Sequence, residues 1–302
     1  MLRDFRPHIV HGAVYEGVAV AAVCGTLARI PVIIGEETGE PYGRSWKGHL
    51  LYRALMALCD HAVGVSPEVC DYFADRLRMS PRRVSLVLNG VAPQRTVEPA
   101  ETAELRARLG IGDSEIVIGN VGRLFNWQKR HTDLLAAFRS LCDRRDDVRL
   151  LLVGEGPDRE MLKRLAAEIG IAERVIFTGY QPDARPFYTA MDIFALPSAY
   201  EGLALVLVEA MFAHLPIVST RVSDASSAVA GNENGFLVQP GDPPELADRL
   251  LTLVEDADLR RRFGEAGYAR VQERFSARRY VEDIDQLYQR LAAENSRVAR
   301  MA

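Results

Sequence analysis

Two acids eight positions apart, Glu201 and Glu209, bracket the segment Tyr200-Glu-Gly-Leu-Ala-Leu-Val-Leu-Val-Glu-Ala-Met. A short apolar run over 193–196 and a Pro197-Ser198 turn precede it, so it reads as the loop and helix that follow a parallel strand. Open α/β sheets bind ligands outside the carboxyl ends of such strands. Gly202 lets the backbone approach a ligand closely. The N–H groups of Leu203, Ala204 and Leu205 open the expected helix over 203–214, and a helix start of this kind favours a diphosphate. That helix is apolar on every side except for Glu209, which predicts burial. A buried lone carboxylate needs hydrogen-bond donors, either sugar or ribose hydroxyls or a structural arginine. Eight helical residues would set the two acids about 12 Å apart, a span suited to the two ends of a nucleotide sugar. The plainer alternative makes Glu201 a surface acid and Glu209 an internal ion-pair partner.

Cations come from Asn120-Val-Gly-Arg-Leu-Phe-Asn-Trp-Gln-Lys-Arg-His, again just after an apolar run. Gly122 permits a tight turn, and Arg123 and Lys129 can both reach a phosphate from the loop. The chain holds 34 arginines and three lysines (Lys47, Lys129 and Lys163), so a lysine here is not compositional noise. A compact ammonium and a forked guanidinium together would neutralise a diphosphate leaving group. Solvated loop charges before a helix capped by Thr132 are the competing account.

The elements that must position these residues alternate strand and helix, the pattern of a parallel sheet with crossover helices. Strands are expected over 8–12, 31–36, 62–66 and 84–89, with helices over 15–29, 46–60 and 67–78. Residues 89–100 lose periodicity and gather Gly90, Pro93 and Pro99, so they read as a linker. A second series follows, with strands over 115–121, 148–153, 175–178, 193–196, 217–220 and 235–238 and helices over 132–142, 158–169 and 203–214. A last helix over 277–293 puts Tyr280, Val281, Ile284, Leu287, Tyr288 and Leu291 on one stripe. Four strands fall short of a complete doubly wound domain, which has five or six. Either the start omits βα units or a partner, such as a second copy, covers the sheet edge; the first is favoured, because an uncovered central strand invites aggregation.

Composition narrows the classes. The 302 residues are 48% hydrophobic and 26% charged, as in an ordinary globular protein of two modest domains. A net charge of −4 argues against a nucleic-acid partner. Residues 1–92 carry one net positive charge, so any affinity for anionic membranes belongs there. Cys24, Cys59, Cys70 and Cys142 are scattered without metal-ligand spacing, which fits a reducing cytoplasm and no structural zinc. No apolar run is long enough to span a membrane and no secretory signal follows Met1, so the expected location is cytoplasmic, including the membrane's inner face.

Gly122-Arg123 with Lys129, Gly154-Glu-Gly156-Pro, Phe177-Thr-Gly-Tyr, Pro197-Ser with Glu201-Gly and Glu209-Ala-Met, and Asn234-Gly-Phe-Leu-Val-Gln-Pro-Gly-Asp occur in that order. Together they resemble glycosyltransferase family 4 over roughly residues 84–275. Ile9-Val-His11, Val65-Ser66-Pro and Leu88-Asn-Gly-Val91 resemble the rear of that family's N-terminal lobe and its hinge. The resemblance implies a GT-B fold of two Rossmann-like domains, the N-terminal one incomplete. Residues 1–93 would form the partial acceptor-side domain, 94–276 the nucleotide-sugar domain, and 277–302 a helix packing back across both. It implies a retaining transferase acting from a nucleoside-diphosphate sugar on a hydroxyl acceptor, in polysaccharide, glycolipid or other glycoconjugate synthesis. Arg123 and Lys129 would hold the donor phosphates, Glu209 the ribose, Glu201 the transferred sugar, and the Gly179–Tyr180–Gln181 loop the base. Arg123, Lys129 and Glu201 are then the catalytic set, with no metal and no cofactor beyond the donor.

Three departures from the family pattern weaken the acceptor side and the phosphate cradle. No glycine-rich first strand and loop is present. Ala13 stands where many members have a second histidine after His11. Ser223-Asp-Ala-Ser-Ser replaces a glycine pair. A nucleotide-sugar-binding protein without turnover is therefore the alternative function, while a 2-epimerase lacks motif support. Asp256-Ala-Asp258 and Asp283-Ile-Asp285 have metal-ligand spacing but lie in charged helical stretches. Gly154-x-Gly156 lacks the third glycine of a dinucleotide fingerprint and reads as a turn. His11 faces either the cleft or a backbone partner, and His131 and His214 read as structural. Residues 44–53 carry aromatic and basic side chains that could meet lipid headgroups, against the plainer reading of a solvated helix start.

Overall fold

The computed structural model describes residues 2–39, 45–92, 95–201, 204–222 and 225–295. The chain divides into two compact units, Met1–Gly90 with Arg274–Ala302, and Val91–Glu273.

The first unit opens with a helical turn, α1 (Leu2–Phe5), and β1 (Ile9–Ala13). It continues through α2 (Val14–Ala28), β2 (Val32–Glu37), α3 (Trp46–Leu58), β3 (His61–Gly64), α4 (Pro67–Asp71) and β4 (Val84–Leu86). The four strands run parallel in the order β1-β2-β3-β4. All six residues of β2 are buried, as a parallel sheet covered on both faces requires. One face receives Val18, Ala21 and Ala22 of α2, Tyr52, Leu55 and Met56 of α3, and Val69 with Tyr72 and Phe73 at and beyond α4. Helix starts follow local chemistry. The Ser45 hydroxyl accepts from Gly48 N, and Ser66 caps Val69 N with Pro67 at the first helical position.

The second unit contains α5 (Pro99–Arg108), β5 (Ile116–Val121), α6 (Asn126–Lys129), α7 (His131–Cys142), β6 (Val148–Val153), α8 (Arg159–Glu168) and β7 (Val175–Gly179). It continues with α9 (Arg185–Thr189), β8 (Ile193–Leu196), α10 (Leu205–Phe212), β9 (Ile217–Thr220), α11 (Ala225–Ala228), β10 (Gly235–Val238), α12 (Pro243–Glu255) and α13 (Ala257–Arg274). Its parallel sheet has the order β10-β9-β8-β5-β6-β7. The chain therefore builds outward from β5 through β6 and β7, then returns to β5's other side with β8. The β5–β8 boundary is the topological switch point, where open α/β sheets present their ligand sites.

The closing helix, α14 (Ala277–Glu294), returns to the first unit. Its Tyr280, Ile284, Leu287, Tyr288 and Leu291 cover the second face of that sheet over Val32, Ile34, Val63 and Val87. Val281, expected on the same stripe, is instead exposed, one position off the contact face. A further correction concerns residues 89–100, read as a linker: α5 already begins at Pro99, with proline at its first helical position.

Candidate functional site

The loop leaving β5 is pinned by its neighbour. Gly122 N donates to Val153 O (2.9 Å), Leu124 N to Glu155 O (3.0 Å), and Asp158 N to Leu124 O (3.1 Å). Gly154, at φ +140°, and Gly156 allow this approach: a Cβ on either would collide with the carbonyl oxygen of Gly122 or Leu124. The two glycines thus seat the turn that carries Arg123. That guanidinium is exposed, makes no ion pair or hydrogen bond among the described residues, and lies 5.6 Å from the centre of the Phe125 ring.

The next turn, α6, is tied at both ends. Asn126 N donates to Asp158 Oδ2 (2.6 Å), and Asn126 Oδ1 accepts from Thr132 N (2.9 Å). Across the switch point, Ala199 N donates to Gln128 O (2.8 Å), and the Trp127 and Tyr200 rings meet edge to face at 5.3 Å. Thr220 Oγ1 donates to Ser198 O (2.6 Å), fixing the β8 loop against β9. These bonds bring Lys129 Nζ to 2.6 Å from Glu201 Oε1, which also accepts from the buried Ser198 hydroxyl. Glu201 is only 5% exposed, so it is a buried member of an ion pair and not the surface acid of the plainer reading.

Glu209 is half-buried on α10. Its Oε2 accepts from the phenol of Tyr188 on α9 at 2.7 Å, and Oε1 accepts no hydrogen bond among the described residues. The donor that meets this carboxylate is therefore a tyrosine and not an arginine. Burial, followed by the Glu209 charge, pushes the Tyr188 phenol well above its ordinary pKa and keeps it a donor. Helix α10 spans Leu205–Phe212 with Ala204 as its N-cap, so only part of the Glu201–Glu209 interval is helical. The eight-residue helical spacing does not hold. Ala204 is buried and Leu205 partly exposed, while Gly202, Leu203 and the Ser223-Asp224 departure lie outside the described residues.

His131, fully buried beside this cluster, puts Nε2 3.1 Å from Asn120 Oδ1, whose amide donates to Ala195 O (2.8 Å). Burial, reinforced by Lys129 and opposed by Asp158, lowers its pKa to about 4, so it adds no charge near neutrality. The Tyr180 ring is 75% exposed beyond Gly179, which takes φ +73°. In the first unit His11 Nδ1 lies 2.8 Å from the Tyr288 hydroxyl, while the buried Nε2 lies 3.0 Å from Glu36 Oε2 without hydrogen-bond geometry. Ala13 ends β1 opposite Glu36.

The sequence gives no sign of the parts played by Tyr188, Gln128 and Asp158, and it shows Ser198 only as part of the Pro197-Ser turn. None belongs to a pattern of its own, and Tyr188 stands 21 positions from the acid it serves. The Asp-x-Asp pairs serve their helices: Asp256 caps Leu259 N, and Asp258 and Asp283 pair with Arg261 and Arg279. Among the described residues no group of three His, Cys, Asp or Glu side chains could hold a metal, and no helix is long and apolar enough to cross a membrane.

The model of glycosyl transferases group 1 matches residues 101–270, more than half of the chain, and that of glycosyltransferase family 4 matches residues 1–95. The chain belongs to the group 1 glycosyltransferases. Among curated members of this family, it is 36% identical over 222 residues to D-inositol 3-phosphate glycosyltransferase of Corynebacterium urealyticum, covering 69% of this chain and 51% of that one. It is 30% identical over 188 residues to N-acetyl-alpha-D-glucosaminyl L-malate synthase of Bacillus anthracis, covering 62% and 49%. The chain thus spans about half the length of the curated glycosyltransferases it matches. HepE of Anabaena, solved in complex with UDP, superposes with a TM-score of 0.86 at 23% identity, over 93% of this chain and 78% of HepE. That likeness shows a GT-B glycosyltransferase fold of Rossmann-like α/β units.

Proposed function

We propose that this chain transfers a sugar from a nucleoside-diphosphate donor to a hydroxyl acceptor with retention of configuration, in the building of polysaccharide, glycolipid or another glycoconjugate. The observation that carries the reading is the convergence of Lys129 and Glu201 at the β5–β8 switch point, where a doubly wound sheet presents its ligand site. Glu201 uses one of the three donors of the Lys129 ammonium, so the lysine can hold its acid and a phosphate oxygen together. Arg123, without an acidic partner among the described residues, supplies the second cation for the departing diphosphate. Helix α10 begins without a side-chain cap, which leaves its first N–H groups to water or to an anion. Glu209, held through one oxygen by Tyr188, offers the other to ribose hydroxyls. Glu201 takes the hydroxyls of the transferred sugar, and Tyr180 borders the base.

In the retaining step the acceptor oxygen bonds to the anomeric carbon as the bond to the diphosphate oxygen breaks on the same face. The acceptor's proton passes to that departing oxygen. Fixed cations are worth most where this negative charge develops. The UDP bound to HepE supports testing uridine donors first. Calorimetric titration with UDP, GDP and ADP, followed by incubation with the matching sugar donors and NMR of the product anomer, tests the proposal. Binding of one diphosphate and a product of unchanged anomeric configuration are expected. Inversion overturns retention, binding without transfer or donor hydrolysis overturns turnover, and no binding at all overturns the site.

A further inference from the structure

Helix α3 buries Tyr52, Leu55 and Met56 in the first unit's core, yet its outward side is also apolar. Trp46 is 72% exposed, Leu50 60%, Leu51 53% and Leu58 44%. At 100° per residue, these four with Ala54 and Ala57 fall within an arc of about 140°, an entire helix face. The helix contains no acid, and its two full charges, Lys47 and Arg53, are exposed within or at the rim of that arc. The Lys47 ammonium lies 5.7 Å from the centre of the Trp46 ring. Helix α2, packed beside α3 on the same face of the sheet, adds exposed Val20, Val23 and Leu27, with Glu16 as its one charged residue.

A contiguous apolar surface of this kind marks an interaction site. Its composition selects the partner. A tryptophan at one end, leucines along the face and cations without acids are the makeup of a helix that lies in a membrane interface. A second copy meeting the same face about a twofold axis would bring Lys47 and Arg53 toward like charges with no acid on α3 to meet them. We propose that the outer face of α3 seats this protein on an anionic lipid surface. Trp46 lies at headgroup level, Leu50, Leu51 and Leu58 enter the acyl boundary, and Lys47 and Arg53 meet lipid phosphates. The proposal is independent of which donor is used.

The test is flotation of the whole chain with phosphatidylcholine vesicles, with and without phosphatidylglycerol. A W127F background leaves Trp46 as the single tryptophan. The expected result is binding to the anionic vesicles with a blue shift of Trp46 emission. Each of Lys47→Gln and Arg53→Gln should weaken partition roughly fivefold, and raised salt should act in the same direction. Leu50→Asp with Leu51→Asp should abolish binding, while Val281→Asp, exposed on α14, should leave it intact. Thermal melts of the variants verify that each is folded. Absence of binding by the parent protein overturns the proposal, as does unchanged binding of the double leucine variant. So does a dimer that this variant dissolves without any vesicle binding, which would assign the face to a second copy.

Discussion

The ammonium of Lys129 sits 2.6 Å from the carboxylate of Glu201, 72 positions away in sequence, and the pair is largely shut off from water. Removing one partner strands the other as an uncompensated buried charge, which costs about 3–5 kcal/mol. Lys129→Ala and Glu201→Gln should therefore each lower the urea midpoint. The double variant Lys129→Met with Glu201→Gln should recover most of that stability while donor turnover stays lost. A double variant no more stable than either single one would show that the pair is not coupled in this way.

Tyr188 holds one oxygen of Glu209 at 2.7 Å. Tyr188→Phe removes a charge-assisted hydrogen bond and should cost about 1.5–3 kcal/mol of folding stability. It should also lower nucleoside-diphosphate affinity, because the carboxylate is then free to turn away from the ribose. The loss should shrink with a 2′-deoxy nucleotide, and comparing the two titrations in parent and variant measures the coupling.

Gly154 and Gly156 admit the backbone of the loop that carries Arg123. Gly154→Ala forces both a left-handed backbone and a collision with Gly122 O, and should cost more than about 2 kcal/mol. Gly110, also left-handed at φ +69° but in open space, is the control, and its alanine variant should cost only about 1 kcal/mol. Equal losses at the two sites, measured by chemical unfolding, would contradict the close-approach argument.

Two buried histidines make stability fall in mild acid. Burial, with Lys129 adding, lowers His131 from 6.5 to about 4, and burial, with Arg290 and Arg83 adding, does the same for His61. Above pH 6.5 both states are neutral at these positions and nothing is linked to protons. As pH falls toward 4 the unfolded chain takes up protons that the native chain refuses, so stability declines through this window and the effect levels off below it. Each site contributes a loss on the order of 3 kcal/mol. Urea titrations between pH 4 and 7 should show this slope, reduced in His131→Asn.

How much was legible beforehand differs between fold and site. Runs such as residues 148–153 and 193–196 have one plausible use, a strand buried on both faces, so their alternation with helical segments gave two parallel α/β series and their order. Pro99 among glycine and proline looks like a breaker, although proline serves equally well at the first turn of a helix, as α5 shows. Apolar content signals helix α10 but does not say at which residue it starts, and the helix begins at Leu205.

By itself the sequence determined the strands, the family and the candidate acids and cations, because these are local matters of residue type and spacing. Only the tertiary structure decided the pairings: Lys129 on Glu201, Tyr188 on Glu209, and Gly154 under Gly122. Each joins loops or helices from different strands, and sheet order sets those distances. Sheet order also decided which helix faces are covered. Trp46 and Leu50 lie in a stretch that reads either as lipid-facing or as a solvated helix start, and the packing of α3 leaves both side chains facing outward.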